Sequence, residues 1–256
     1  AGKTILNFDL GGLGDNCLIA SGSEGPDLGL ASAASKEDYS VSLSNASSVS
    51  VGDYIRFIQD DADLVNDSWA ERRTGQVSQV VAKSGNNLTL GSPLRMDFPM
   101  WRNPRVKRMT PNENIGVECM TIHRVDQVLI SANRNKASKI KFNRVVNSWV
   151  KGVESSNCNY SHFEALYSAN LLVSGCYFHD AFEYGTGGRA YGVMLHFATS
   201  ESKVENTIFD NLRHAMIVQV GANGNAFAYN SSTNARDENG SQDEDMVCHG
   251  NYAYLK

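Results

Sequence analysis

Five of the six histidines, His162, His179, His196, His214 and His249, fall between residues 162 and 249. Imidazole titrates near neutrality, so such a cluster can supply a base or an acid at working pH. Arg213-His214 is the most pointed pair. It sits where a turn enters the apolar run Ala215-Met216-Ile217-Val218, after a glycine loop that runs from Tyr184 to Gly192. A neutral-pH base beside a fixed cation suits β-elimination. The base removes the proton next to a uronate carboxylate, and a cation or amide neutralises the developing charge. His214 and Tyr191 are the candidate base and acid, with Arg213 as the cation. His196, Gln219, His179, Arg189 and Lys151 are candidate substrate-binding residues. The plainer alternative makes Arg213 an anchor for its turn and His179 and His196 ladder residues bonded to their neighbours.

The elements that must position these groups repeat along the chain. Phe142–Ser148, Ser174–Asp180 and Glu205–Asn211 line up at offsets of 32 and 31 residues, and Ala228–Asn234 follows at 23. Each copy is β-branched, aromatic and rich in Asn or Gly, so the unit is built of strands and bends. A period in the low twenties, lengthened by loops, is the mark of a solenoid. A second column aligns Gly192–Phe197 with Ala215–Val220 at an offset of 23, with Lys151–Ser156 as a looser earlier member. The expected fold is all-β: a right-handed parallel β-helix with a small inserted β module near the N-terminus.

Stacking turns alignment into neighbours, because adjacent strands lie about 4.8 Å apart. Alternation places Val193, Leu195 and Phe197 inside with Met216, Val218 and Val220. His196 and Gln219 then face out side by side, and Tyr191 lies level with His214, which Lys151 may join. In the first column Val146, Phe178 and Phe209 stack inside. His179 and Asp210 share an outward ladder with Asn147. A glycoside hydrolase needs two carboxylates at a set separation. The columns so aligned offer no Asp/Glu stack, and Glu154 and Glu183 stand alone, so the residues lean towards a lyase. A third reading has no chemistry: an adhesin or spike whose polar ladders only hold rungs together.

The chain has 256 residues and a formal charge of −5, so it presents no general basic field for nucleic acid. No apolar run approaches the length of a membrane span. All five prolines lie before residue 112, which fits a continuous sheet beyond. Residues 1–38 read as the first rung or cap, with strands Thr4–Phe8 and Cys17–Ala20. Residues 39–111 read as the inserted hairpin module and a basic linker, Arg102–Arg108, and residues 112–256 as the main coil. The five cysteines show no C-x-x-C spacing, so no zinc site is expected and packing thiols are.

Several blocks resemble the right-handed β-helix proteins of the pectate-lyase-like superfamily, mostly secreted, bacterial, polysaccharide-active enzymes. They are Tyr177-Phe178-His179-Asp180-Ala181, the Tyr184–Gly192 loop, Leu212-Arg213-His214-Ala215-Met216, Gly221-Ala222-Asn223-Gly224-Asn225 and His249-Gly250-Asn251-Tyr252. The resemblance covers about residues 112–256, and 4–22 more weakly. It implies a secreted or cell-surface protein acting on a polysaccharide, as a lyase on an acidic glycan or a hydrolase. The calcium-binding Asp cluster of pectate lyases has no match here. No cofactor is expected. Calcium is a minor option at the acidic run 236–245, whose spacing fits no EF-hand loop. Met246–Leu255 reads as another rung beginning, so the expectation is either a fragment of a longer coil or another subunit or chain covering that open edge.

Overall fold

The β-branched and aromatic runs pair in parallel, each with the run one turn later, and three such ladders coil into a right-handed parallel β-helix. The computed structural model describes residues 4–12, 14–126, 136–185, 188–237, 239–242 and 246–247. Sheet I stacks Thr4–Phe8, Met120–Arg124, Glu154–Cys158, Tyr177–Ala181, Ile208–Asp210 and Ser231–Thr233. Sheet II stacks Leu18–Ser21, Ile140–Asn143, Ser161–Leu166, Tyr191–His196, His214–Gln219 and Met246–Val247. Sheet III stacks Gly116–Glu118, Val145–Lys151, Ala169–Ser174, Lys203–Glu205 and Ala226–Ala228, with Asn112–Glu113 also on Val145–Lys151. Each turn passes from sheet III through sheet I to sheet II. Tight turns take 23 residues, as from Glu154 to Tyr177 and from Val193 to Met216. The longer ones carry extra residues mainly at the corner between sheets I and II, after Phe8, Arg124, Ala181 and Thr233.

The interior is a stack of apolar side chains drawn one rung at a time. Phe178 and Phe209 are fully buried with ring centroids 6.0 Å apart, and Phe142 meets Phe163 edge-on at 5.3 Å. Each such side chain contributes roughly 1.5–3 kcal/mol by leaving water. Val146 is buried but lies elsewhere. It pairs with Ala169 in sheet III and packs with Tyr54, Val77 and Met109, whereas Ser155 is the rung-mate of Phe178. The 32-residue alignment had joined two different sheets. Asn147 leaves the His179 ladder for the same reason and accepts a hydrogen bond from the Tyr54 hydroxyl at 3.0 Å.

Each corner needs a residue with positive φ, and these residues fall in columns. Cys119, Gly152, Gly175, Asn206 and Tyr229 turn the chain from sheet III into sheet I. Arg144, Tyr167, Phe197 and Val220 turn it out of sheet II, and Asn157, Asp180, Asn211 and Asn234 close the sheet I strands. Phe197 and Val220 therefore leave the inward alternation expected of them. Phe197 stacks on Tyr167 and lies beside Trp69, and Val220 packs on Val65 and Ala70.

The inserted module is an antiparallel sheet in the order Ser23–Gly29, Arg105–Thr110, Tyr54–Ile58, Gly75–Ser84, Asn87–Leu90, Ser40–Ser42. Gly85, at φ +58°, opens the two-residue loop of the expected hairpin. Arg105–Thr110, expected as part of a solvated linker, is instead a strand bonded on both edges. Its basic residues are matched within the module: Arg105 to Asp27 and Asp60, Lys107 to Asp27, and Arg108 to Asp53. The module docks on the corner between sheets II and III. There Arg56 and Arg144 share the Glu24 carboxylate at 2.6 and 3.0 Å, and both lie over the Tyr167 ring. Burial opposes ionisation of Glu24, but the bonds and charges of the two arginines hold its pKa below the usual carboxylate range.

Where sheet I meets sheet II, the residues Cys17, Lys139, His162, Gly192 and Ala215 stand in register on successive rungs. His162 is an interior residue rather than a groove base. Its ring stacks on Phe178 at 5.4 Å, donates from Nε2 to the Asp180 carbonyl and accepts from Ser155 Oγ at 2.8 Å. One rung on, a Cβ at Gly192 would stand 2.6 Å from the Phe209 ring and 2.2 Å from the Ala215 carbonyl oxygen. Gly192→Ala should therefore cost at least about 1–3 kcal/mol of stability in urea unfolding; an unchanged midpoint would show that the corner is looser than this packing.

Burial pushes the pKa of His162 well below its ordinary 6.5, with the Lys139 charge acting in the same direction. The unfolded chain then binds a proton that the folded chain refuses, so this contribution to stability is lost as pH falls below about 6.5. Unfolding free energies at pH 7.5 and 5.5 should fall on acidification, and His162→Gln should make that fall shallower. An equally steep fall in the variant would rule His162 out as its source.

Candidate functional site

The loop-side groups expected to form the site are brought together but mostly covered. Tyr191 and His214 are rung-mates in sheet II with stacked rings 5.5 Å apart, and His214 is only 3% exposed. His196 and Gln219 are rung-mates too. His196 is nevertheless closed off, because its Nε2 lies 3.0 Å from Glu164 Oε1 and its ring stacks on Phe197. Burial lowers the His196 pKa against the pull of Glu164. Burial would raise that of Glu164, but His196, Lys141 and Ser138 hold it at about 2. Met194 and Ile217 face out of the coil as alternation requires, yet are buried against Tyr160 and Tyr191. Arg213 donates to the Gly185 carbonyl at 3.5 Å, and Arg189 pairs with Glu183 at 3.2 Å. Lys151 does not join them. It ends a sheet III strand beside Ser174, with its amine over the Trp149 ring, and Ser161–Leu166 takes the sheet II place expected for Lys151–Ser156.

An open polar surface lies on the outer face of sheet I. Its strands carry two outward rows: Thr121, Glu154, Tyr177, Ile208 and Ser231, then His123, Ser156, His179, Asp210 and Thr233. The left-handed column Asn157, Asp180, Asn211, Asn234 edges them. His179 is the hub. Its Nδ1 meets Asp180 Oδ2 at 2.8 Å, its Nε2 lies 3.6 Å from Glu154 Oε1, and its ring stacks on Tyr177 at 4.3 Å. Asp180 also accepts from Asn211 Nδ2 at 2.6 Å, and Glu154 accepts from Thr121 Oγ1 at 3.2 Å. Asp210 accepts from Asn234, Thr233 and the Tyr177 hydroxyl at 2.8, 3.0 and 3.4 Å. The Asn234 bond does most to hold the Asp210 pKa below the carboxylate range. Tyr184 walls this face at the corner. Its hydroxyl accepts from the Ala181 amide and donates to the Asn211 carbonyl, and Arg236 lies 4.0 Å over its ring while donating to Asn211 Oδ1.

Of the expected residues only His179 stands on this face, over Asp210 as foreseen, and Asp180 lies over Asn211. The sequence reading missed Glu154 as part of the ladder. The signal was the 23-residue step from Glu154 to Tyr177, equal to that from Ile208 to Ser231. Among the described residues no His, Cys, Asp and Glu cluster is arranged to hold a metal ion, and no helix is long and apolar enough to cross a membrane. The His249–Tyr252 block, the start of a further rung after Val247, and part of the acidic run 236–245 fall outside the described residues.

No protein-family model matches the chain, and no curated protein matches it in sequence. Solved structures that share its fold include two phage tailspikes. The tailspike protein gp49 of Pseudomonas phage LKA1 superposes with a TM-score of 0.70 at 16% identity, over 91% of this chain and 41% of that one. The tailspike gp61 of Pseudomonas phage phi297 does so with a TM-score of 0.59 at 14% identity, over 96% of this chain and 49% of that one. The chain thus spans less than half the length of either, and what it shares with them is the parallel β-helix.

Proposed function

We propose that this chain is the glycan-handling β-helix of a larger surface or extracellular spike, and that it hydrolyses a polysaccharide lying across the rungs of sheet I. The observation that carries this reading is the solvent-reached ladder of Glu154, His179, Asp180 and Asp210. A lyase built on His214 and Arg213 would need a polymer to reach an imidazole that Tyr191 and the sheet II surface cover. The fold likeness to tailspikes favours a surface location and a spike-like assembly. The inserted module, which joins Ser23–Gly29 to strands within residues 39–111, acts as a buttress to the main coil from residue 112 onward.

The chemistry follows from the two carboxylates. Asp210 is held ionised and serves as the base that activates water. Glu154 serves as the acid that protonates the leaving oxygen. They stand two rungs apart and two residues apart along the strand, roughly 12 Å at the backbone with rungs about 4.8 Å and residues about 3.3 Å apart. Glu154 leans towards the Asp210 row to reach His179, and Asp210 towards the Glu154 row to meet the Tyr177 hydroxyl; a separation wide enough to hold a water between acid and base favours inversion. Asp180 orients His179 beside Glu154, and Tyr177 with Ile208 offers an apolar ledge to a sugar ring.

Purified protein incubated with surface polysaccharides should release reducing ends without the ultraviolet absorbance of an unsaturated uronate. The new anomeric centre should be inverted by NMR. Asp210→Asn should lower turnover about 10²–10⁴-fold while the far-ultraviolet spectrum is unchanged. Unsaturated product would restore the lyase built on His214, Arg213 and Tyr191. Tight glycan binding without cleavage would make the chain a non-catalytic spike.

A further inference from the structure

The interior column between sheets I and II holds a group that the proposed chemistry does not use. Lys139 is 1% exposed, and its amine has no hydrogen-bond partner. Its backbone lies in register between Cys17 on the rung before and His162 on the rung after. Leu18 N donates to Lys139 O at 2.9 Å, and Cys17 N to Ser138 O at 3.3 Å. The two rungs are therefore hydrogen-bonded at this point, with backbones about 4.8 Å apart. Cys17 packs against the same core as Cys158 but remains half-buried, and both are free thiols. A buried amine without a partner costs free energy in its charged form, and that cost weakens its hold on the proton.

We propose that Cys17 and Lys139 form an oxidative modification site, in which peroxide joins the thiol of the first rung covalently to the amine of the second. A peroxide oxidises the Cys17 thiol by two electrons to the sulfenic acid, its O–O bond being reduced and one water or alcohol leaving. The Lys139 amine then attacks that sulfur. An S–N bond forms, the S–O bond breaks, and the departing hydroxide takes a proton from nitrogen to leave as water. The second step needs a neutral amine. Burial brings the Lys139 pKa down to about 8, the two thiols being its strongest charge partners. At pH 7 about a tenth of such amines are free, against a few in ten thousand for an ordinary lysine. Burial raises the Cys17 pKa, so thiol oxidation is the slow step and calls for millimolar peroxide. Cys158 is fully buried and its thiol is pushed up to about 12, which directs the oxidant to Cys17. Lys136, also lowered by burial, lies over the Tyr160 ring and outside this column.

The test uses the full chain with the exposed thiol removed by Cys119→Ser, treated with hydrogen peroxide and then digested. The expected product is about 2 Da lighter than the untreated protein. Its digest should contain a peptide joining Cys17 to Lys139 that dithiothreitol separates. Lys139→Met, folded by circular dichroism, should instead accumulate a Cys17 sulfenic acid trapped by dimedone or a sulfinic acid. A Cys17–Cys158 disulfide would overturn the proposal. So would a wild type whose Cys17 is over-oxidised without the linked peptide. Should Lys139→Met fail to fold, Lys139→Arg keeps the charge and removes the nucleophile, and a linked peptide persisting there would equally overturn it.

Discussion

Every rung must turn at the same three places, and the rest of the molecule depends on that registration. A parallel coil can only stack if each corner residue sits directly over the one before. At these corners the backbone enters the left-handed region, which costs a residue with a Cβ of the order of 1 kcal/mol or more. The columns at Cys119–Tyr229 and Asn157–Asn234 show how the cost is offset. Glycine removes it at Gly152 and Gly175, while Asn and Asp return hydrogen bonds to neighbouring rungs, as Asn211 does to Asp180 and Asn234 to Asp210. The bend and the candidate site are therefore made of the same residues, and the polar ladder that closes sheet I is also the edge of its open face.

The module settles which face stays open. Arg56, Glu24, Arg144 and Tyr167 tie it to the corner between sheets II and III. Arg95 reaches Glu201, the Val77 amide donates to Ser200 Oγ, and Asn223 donates to the Gly75 carbonyl. An ion cluster this well covered is worth more as a lock than as a source of stability. Removing one partner would strand the others in a poor solvent for charge. With that corner occupied and the surface of sheet II packed on itself, sheet I presents its linked carboxylate and histidine ladder to solvent.

The strands, the coil and the pairing of Phe178 with Phe209 were legible because aromatic and β-branched residues repeat visibly. So were the rung-mates His196 and Gln219, which share tight 23-residue spacing. What misled was chemistry without shape. Val146 resembles Phe178 as an apolar residue before a polar one, but belongs to sheet III. Glu154 looked solitary because its rung-mate is a tyrosine rather than another acid. Burial of His214 and His196 was illegible for a different reason. Outward alternation predicts solvent only when nothing covers the strand, and here the Tyr191 ring lies on His214 while Glu164 and the Phe197 ring close off His196. The charges of Arg105, Lys107 and Arg108 read as a linker because their acidic partners, Asp27, Asp53 and Asp60, lie far away in sequence.

The extra residues of the coil leave mostly by one corner, after Phe8, Arg124, Ala181 and Thr233, while the turns after Cys158 and Asp210 stay short. A change in length there leaves the other two corners and their left-handed columns in register. Such a scaffold separates inheritance of shape from inheritance of specificity. The wall beside the sheet I ladder can be lengthened, shortened or exchanged between relatives rung by rung, and the coil that carries it need not be redesigned.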